Sequence, residues 1–112
     1  MNQYKIELME TLRILSDIEA QKIFSDELTV GDPTGDLICG WFDTGFFPES
    51  ENFKSLFSEY EWLILSEFNE FFDNRVKYLP EEFEKLIVNS KWIEIVMKAK
   101  ATINILEDHQ EN

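Results

Sequence analysis

The sequence has very little of the side-chain chemistry on which most enzymes and metal sites depend. It contains one cysteine, Cys39, and one histidine, His109, in 112 residues. A lone cysteine cannot form an internal disulfide, so the fold does not require an oxidising compartment. The only histidine lies in a polar tail, from Glu107 onward, that we expect to fray. It is therefore not a suitable general base or zinc ligand.

The sequence also lacks the features of a secretory signal or a membrane-spanning segment. Residues 1–7 lack the basic region and the apolar block that open a secretory signal. No apolar run approaches the roughly 18 residues that a membrane-spanning helix needs. We therefore expect a cytoplasmic protein that does not enter a membrane.

Basic residues are scarce as well. The sequence has ten lysines and arginines and 23 acids, which gives a formal net charge of -13. Such a balance argues against nucleic acid as a direct ligand and against anionic membrane surfaces, because both need clusters of lysine and arginine. The excess is concentrated in residues 26–73, which hold twelve acids against the single base Lys54. This distribution favours a basic protein as the partner.

Glycine and proline are rare outside one stretch. Residues 29–50 contain all four glycines and two of the three prolines. Elsewhere apolar residues recur at three- and four-residue steps, which is typical of amphipathic helices. The sequence therefore predicts one mainly all-α domain over residues 1–112, with four to five helices around one core and a long ordered loop at about residues 26–50. The predicted helices cover about Gln3–Phe24, a short segment after Ser50, a central helix at 58–74, one from Pro80 and one from Ser90.

Three patterns within the predicted loop carry possible chemistry. Asp43-Thr44-Gly45 matches the short signature of aspartic proteases, but it is flanked by predicted helices rather than strands. Asp32, Asp36 and Asp43 supply oxygen ligands, but their spacing does not match the twelve-residue calcium loop. Cys39 has apolar neighbours and is expected to be an inert core residue. We therefore expect no enzyme activity, no metal and no cofactor, with a carboxylate-based enzyme or metal binder as the third-ranked alternative.

A binding surface explains the concentration of acids and aromatics better. Aromatic rings can anchor a partner, while carboxylates steer a basic partner and fix its orientation. The candidate partner-binding residues are Asp32, Asp36, Trp41, Phe42, Asp43, Phe46, Phe47, Glu49, Glu59, Glu67 and Glu70. We expect no more than two of the four aromatics in this set to reach a partner, because such residues often turn into the core.

The small size, the helical frame, the strong acidity and the segment Gly31–Asp43 together resemble the small acidic immunity proteins of bacterial toxin systems. The similarity is greatest to those of contact-dependent growth inhibition. The resemblance implies a protein that binds its cognate toxin domain, commonly a basic nuclease, and blocks the active site or an adjacent exosite. The alternative is an acidic adaptor or regulatory subunit that binds another basic protein.

Overall fold

Seven α-helices and no β-strand make up the fold in a computed structural model that describes residues 2–110. The helices are α1 (Gln3–Leu15), α2 (Ile18–Glu27), α3 (Pro33–Phe42), α4 (Glu51–Lys54), α5 (Glu59–Val76), α6 (Phe83–Leu86) and α7 (Ser90–Gln110). The all-α prediction is confirmed, although the expected four to five helices were too few. Within the described residues, no helix is both long enough and apolar enough to cross a membrane.

The last helix, rather than the predicted 58–74 helix, organises the core. α7 packs against both α1 and α5, while α1 also contacts α2 and α3. Trp92, Ile95 and Ala99 of α7 are completely buried, as are Leu12 of α1 and Phe68 of α5. Complete burial of a large apolar side chain contributes about 1.5–3 kcal/mol. The three longest helices therefore form the frame that carries the shorter ones.

The prediction of one continuous helix over Gln3–Phe24 is wrong, because the helical conformation is interrupted between α1 and α2. Asp17 adopts an extended backbone conformation and caps α2, accepting hydrogen bonds from the backbone N–H groups of Glu19 and Ala20. Aspartate is among the residues most favoured at this position. The apolar periodicity continues across the break and so concealed it.

A buried glutamine of α2 links the end of α1 to α7. Gln21 has no exposed surface, and its Nε2 donates to the carbonyl oxygens of Ile14 and Leu15 at 3.0 and 3.2 Å. Its Oε1 accepts a hydrogen bond from Trp92 Nε1 at 2.9 Å. The side chain therefore satisfies carbonyls at the end of α1 and joins them to α7.

The predicted long loop is also wrong over much of its length, because α3 lies within it. Asp32 is the N-cap, Pro33 is the first helical residue, and the Asp36 N–H bonds to the Asp32 carbonyl oxygen at 2.9 Å. Proline is well suited to this first position, because it has no N–H to leave unpaired. Leu37 and Trp41, one turn apart, then bury the inner face of the helix.

Two other helix starts agree with the sequence. The Ser50 hydroxyl accepts from the N–H of Phe53 and caps α4. Ser58 and Glu61 form the predicted capping box at the start of α5. Glu61 is itself buried and pairs with Lys5, with 3.9 Å between Nζ and Oε2.

Of the remaining boundaries, the start of α7 at Ser90 agrees with its prediction and the others differ. No helix begins at Pro80; α6 begins after the N-cap Glu82 and lasts only one turn. Asn89 caps α7, because its Oδ1 accepts hydrogen bonds from the backbone N–H groups of Lys91 and Trp92. The tail predicted to fray from Glu107 is helical to Gln110, while residues 111–112 lie outside the described range.

Candidate functional site

Three exposed carboxylates share one face of α3. Asp32, Asp36 and Asp43 recur with Cys39 at steps of four, three and four residues, and all four are exposed. Such steps bring side chains onto the same side of a helix. We call Asp32, Asp36 and Asp43 the α3 acidic stripe. The opposite side of the helix, with Leu37 and Trp41, is fixed in the core.

None of these carboxylates has a cationic partner among the described residues. The five ion pairs found there all involve other acids. The sequence contains no lysine or arginine between Lys22 and Lys54, so α3 and its connections carry only negative charge. The stripe therefore presents uncompensated charge to solvent.

Helix stability accounts for only part of this arrangement. Asp43 is the C-cap of α3, where the negative end of the helix dipole disfavours a carboxylate. Asp32 is the N-cap, yet its side chain makes no capping hydrogen bond. Asp32 and Asp36, at the N-cap and in the first turn, both lie where the dipole favours an acid. Asp43 is therefore the carboxylate that needs an explanation outside the fold.

Cys39 lies within the stripe and is exposed, so its predicted place in the core is wrong. A side-chain hydrogen bond to Asp43 makes the largest contribution to raising the pKa of the Cys39 thiol. Desolvation and the negative charges of Asp43, Asp36 and Asp32 raise this pKa further. The thiol is therefore protonated and weakly nucleophilic at neutral pH. Its environment also indicates that the three carboxylates act on a common region.

Two of the four candidate aromatics belong to the core. Trp41 is fully buried, its ring stacks on Phe46 with 4.9 Å between centroids, and its Nε1 donates to Asn69 Oδ1 at 3.0 Å. Phe46 is 3 % exposed and also stacks on Trp62. With so little exposed surface, Trp41 and Phe46 position α3 against α5 and do not serve as surface anchors.

The other two aromatics are half-buried. Phe42 contacts Phe72 of α5, and Phe47 contacts Tyr4 and Phe53 edge-on. Each keeps part of its ring at the surface. They remain the aromatic members of the candidate set that can touch a partner.

The remaining candidate acids are exposed but do not extend the stripe as a purely negative surface. Glu49 lies before α4, and Glu59 lies in the first turn of α5. Glu67 and Glu70 line a shallow depression that also includes Arg75 and Lys98. Lys98 offsets part of the negative charge there, while Arg75 pairs with Glu94 at 2.9 Å. The α3 acidic stripe is therefore the strongest part of the predicted surface.

Three exposed residues on α5 were not among the candidates. Tyr60 and Leu63 are 49 % and 55 % exposed, three residues apart and close in sequence to Glu59 and Glu67. Asp73 lies one turn after Asn69, the residue that bonds to Trp41, and so occupies the side of α5 that faces α3. Periodicity suggests such placements only once the buried side of the helix is known.

The patterns with possible catalytic or metal chemistry are placed as follows. Asp43-Thr44-Gly45 follows the end of α3, where the Thr44 hydroxyl donates to the Gly40 carbonyl oxygen at 3.0 Å. Among the described residues, no three histidine, cysteine, aspartate or glutamate side chains are grouped to hold a metal ion. The His109 side chain lies outside the described part.

No protein-family model matches the chain, and the comparisons with curated proteins and with solved structures found no match.

Proposed function

We propose that this protein is an immunity protein that binds a basic toxin domain in the cytoplasm and neutralises it through the α3 acidic stripe. One observation carries the proposal: three exposed carboxylates on one helix face have no cationic partner among the described residues, and one of them, Asp43, opposes the helix dipole. Charge placed in this way suits a partner that brings its own lysines and arginines.

A nuclease is the class of toxin that this row of uncompensated carboxylates favours. Along the helix axis, Asp36 lies about 6 Å from Asp32 and about 10 Å from Asp43, at 1.5 Å per residue. A nuclease binds the regularly repeated phosphates of its substrate with several lysines and arginines. Carboxylates separated in this way can therefore pair with more than one of these cationic groups. On a nuclease, the carboxylates would pair with the cationic groups that normally bind substrate phosphates.

Neutralisation is tested by growth of bacteria that express any basic toxin domain found to be encoded beside this gene. We expect the parent chain to restore growth and the Asp36→Asn, Asp43→Asn double variant to restore it poorly. The control is the Glu10→Gln, Glu81→Gln double variant, which removes the same charge from two exposed acids outside residues 26–73. It should protect like the parent.

Two results would count against the proposal. Full protection by the Asp36→Asn, Asp43→Asn variant would remove the stripe from the interface. Binding to a non-toxic basic protein, lost in this variant and kept in the control, would instead favour an acidic adaptor or regulatory subunit.

A further inference from the structure

An aromatic cleft lies near the start of α1, next to α4. Its volume is about 470 Å³, and its apolar lining includes Tyr4, Phe47, Phe53 and Leu56. Tyr4 and Phe53 approach Phe47 edge-on, with centroid distances of 6.1 and 5.3 Å. We call this space the Phe47 cleft. Since Tyr4 is 56 % exposed, part of the aromatic surface is open to solvent.

A second depression adjoins the cleft across Phe47. Its volume is about 500 Å³, and it is lined by Phe42, Phe47 and the carboxylate-bearing Glu49, among others. Phe47 and Ser50 line both spaces, so the two spaces are neighbours on the surface. Asp43 of the α3 acidic stripe directly follows Phe42. Aromatic faces and carboxylates thus occur together here.

Besides Tyr4, three neutral polar residues line the cleft, and two of them, Asn2 and Ser50, cap helices while the third is Asn52. Asn2 Oδ1 accepts a hydrogen bond from the N–H of Tyr4 at 2.8 Å and caps α1. Ser50 Oγ accepts from the N–H of Phe53 at 3.1 Å and caps α4. Recognition in this region therefore depends mainly on the rings and on Glu49.

The chain covers other rings with its own cations but leaves these rings open. Lys5 lies over Phe57 at 5.4 Å, although it directly follows Tyr4. Arg75 lies over Phe71 at 3.4 Å. Lys54 and Lys77 lie similarly over Trp62 and Tyr78. In the described part of the chain, no lysine or arginine lies over Tyr4, Phe42 or Phe47.

We infer that the Phe47 cleft binds an arginine side chain of the basic partner, with the guanidinium over the rings of Tyr4 and Phe47 and paired with Glu49. A planar guanidinium stacks on aromatic faces and bonds to a carboxylate at the same time. Lysine fits less well, because its ammonium is more strongly hydrated and cannot stack. This assignment rests on the proposed function for the nature of the partner, but the cleft can be tested without the toxin.

The test uses the isolated chain and a short peptide in which arginine alternates with glycine. Phe47→Leu and Tyr4→Leu each remove a ring and leave every charge unchanged. We expect each variant to bind the peptide about three- to tenfold more weakly than the parent does. In NMR spectra, the arginine δ-methylene protons should shift upfield with the parent chain and less with the variants. Phe83→Leu, a half-buried ring on α6, is the matched control and should bind like the parent.

Two further binding measurements separate the contribution of the guanidinium charge from that of the Glu49 carboxylate. The same peptide with citrulline in place of arginine should bind at least tenfold more weakly, and Glu49→Gln should weaken the arginine peptide. Because Phe47 packs on Phe53, melting temperatures show whether Phe47→Leu is folded; the exposed Tyr4→Leu tests the rings independently. Equal affinity of the parent and Tyr4→Leu for the arginine peptide would overturn the assignment, as would equal binding of the citrulline peptide.

Failure of the cleft and failure of the proposed function give different results. If the peptide depends on Phe47 and Tyr4 while no toxin is neutralised, the cleft stands and the immunity function is rejected. If the toxin is neutralised through Asp36 and Asp43 while loss of either ring leaves the affinity for the peptide unchanged, the immunity function is supported and the arginine site is rejected.

Discussion

The indole Nε1 of Trp41 donates a hydrogen bond to Asn69 Oδ1 at 3.0 Å, and this bond ties α3 to α5. Trp41 is fully buried and its ring also stacks on Phe46. Every carboxylate of the α3 acidic stripe is held outward because Trp41 and Leu37 hold the opposite side of the helix inward. The geometry of the stripe therefore depends on a residue that does not touch solvent.

Replacing Trp41 with phenylalanine keeps an aromatic ring but removes the donor, and leaves Asn69 Oδ1 unpaired. We expect the free energy of unfolding to fall by about 1–3 kcal/mol, the cost of an unsatisfied partly buried group together with lost packing. Urea unfolding measures it. Trp62→Phe is the control, since the Trp62 indole makes no hydrogen bond within the described residues, and its cost should be smaller. An unchanged Trp41→Phe stability would show that the bond does not hold α3.

The two glycines at the end of α3 should respond to alanine in opposite directions. Gly40 is helical and a methyl group there meets no atom within 4 Å. Gly40→Ala should therefore stabilise the protein by about 0.5–1 kcal/mol, because alanine loses less backbone entropy in a helix. At Gly45 the methyl carbon would lie 2.6 Å from the Gly40 carbonyl oxygen. Gly45→Ala should destabilise by about 1–3 kcal/mol.

Thermal and urea unfolding of the two alanine variants test this pair together. Destabilisation by Gly40→Ala, or tolerance of Gly45→Ala, would contradict the path of the chain between residues 40 and 45.

The thiol of Cys39 reports the electrostatic field of the stripe. Asp43 raises the pKa of Cys39 through a hydrogen bond and its charge, so Asp43→Asn should lower this pKa. A lower pKa means more thiolate at pH 8, and alkylation by iodoacetamide should become about two- to tenfold faster. The matched control Glu10→Gln removes one charge outside the stripe and should leave the rate unchanged.

The pH dependence of the alkylation rate distinguishes a change in pKa from a change in access. With Asp43→Asn the whole profile should move to lower pH. A profile that keeps its midpoint would show that Asp43 does not act on the thiol.

The sequence predicted the helical class and several caps because those features depend on local chemistry. The capping box of Ser58 and Glu61 and the cap at Ser50 involve residues three apart, whose preferences are strong. The concentration of acids in residues 26–73 was also visible in advance. The sequence did not reveal that all three carboxylates of the α3 acidic stripe are exposed on one helix face.

The missed helix α3 shows why the rest was harder to predict. Asp32-Pro33-Thr34-Gly35 has the residues of a β-turn, but an aspartate N-cap followed by proline is equally the start of a helix. Leu37 and Trp41 decide between the two, because both become buried only if the segment is helical. That burial depends on α1 and α5, which are distant in the sequence.

The aromatic anchors were uncertain for the same physical reason. Trp41 and Phe47 belong to one acid-flanked segment. Trp41 is nevertheless buried, whereas Phe47 is partly exposed and lies between the Phe47 cleft and the adjoining depression. Composition does not distinguish these environments. Likewise, Tyr60 and Leu63 of α5 are apolar but exposed, and only the packing of α5 on α7 reveals it.

The association rate constant with the basic toxin domain tests the central claim most directly. It is measured by stopped-flow fluorescence at about 0.01 M and about 0.15 M salt, where the Debye length falls from about 30 Å to about 8 Å. For Asp36→Asn, Asp43→Asn we predict a rate about tenfold below the parent at low salt and a much smaller difference at high salt, while Glu10→Gln, Glu81→Gln follows the parent. Equal rates for parent and stripe variant at low salt would contradict the account.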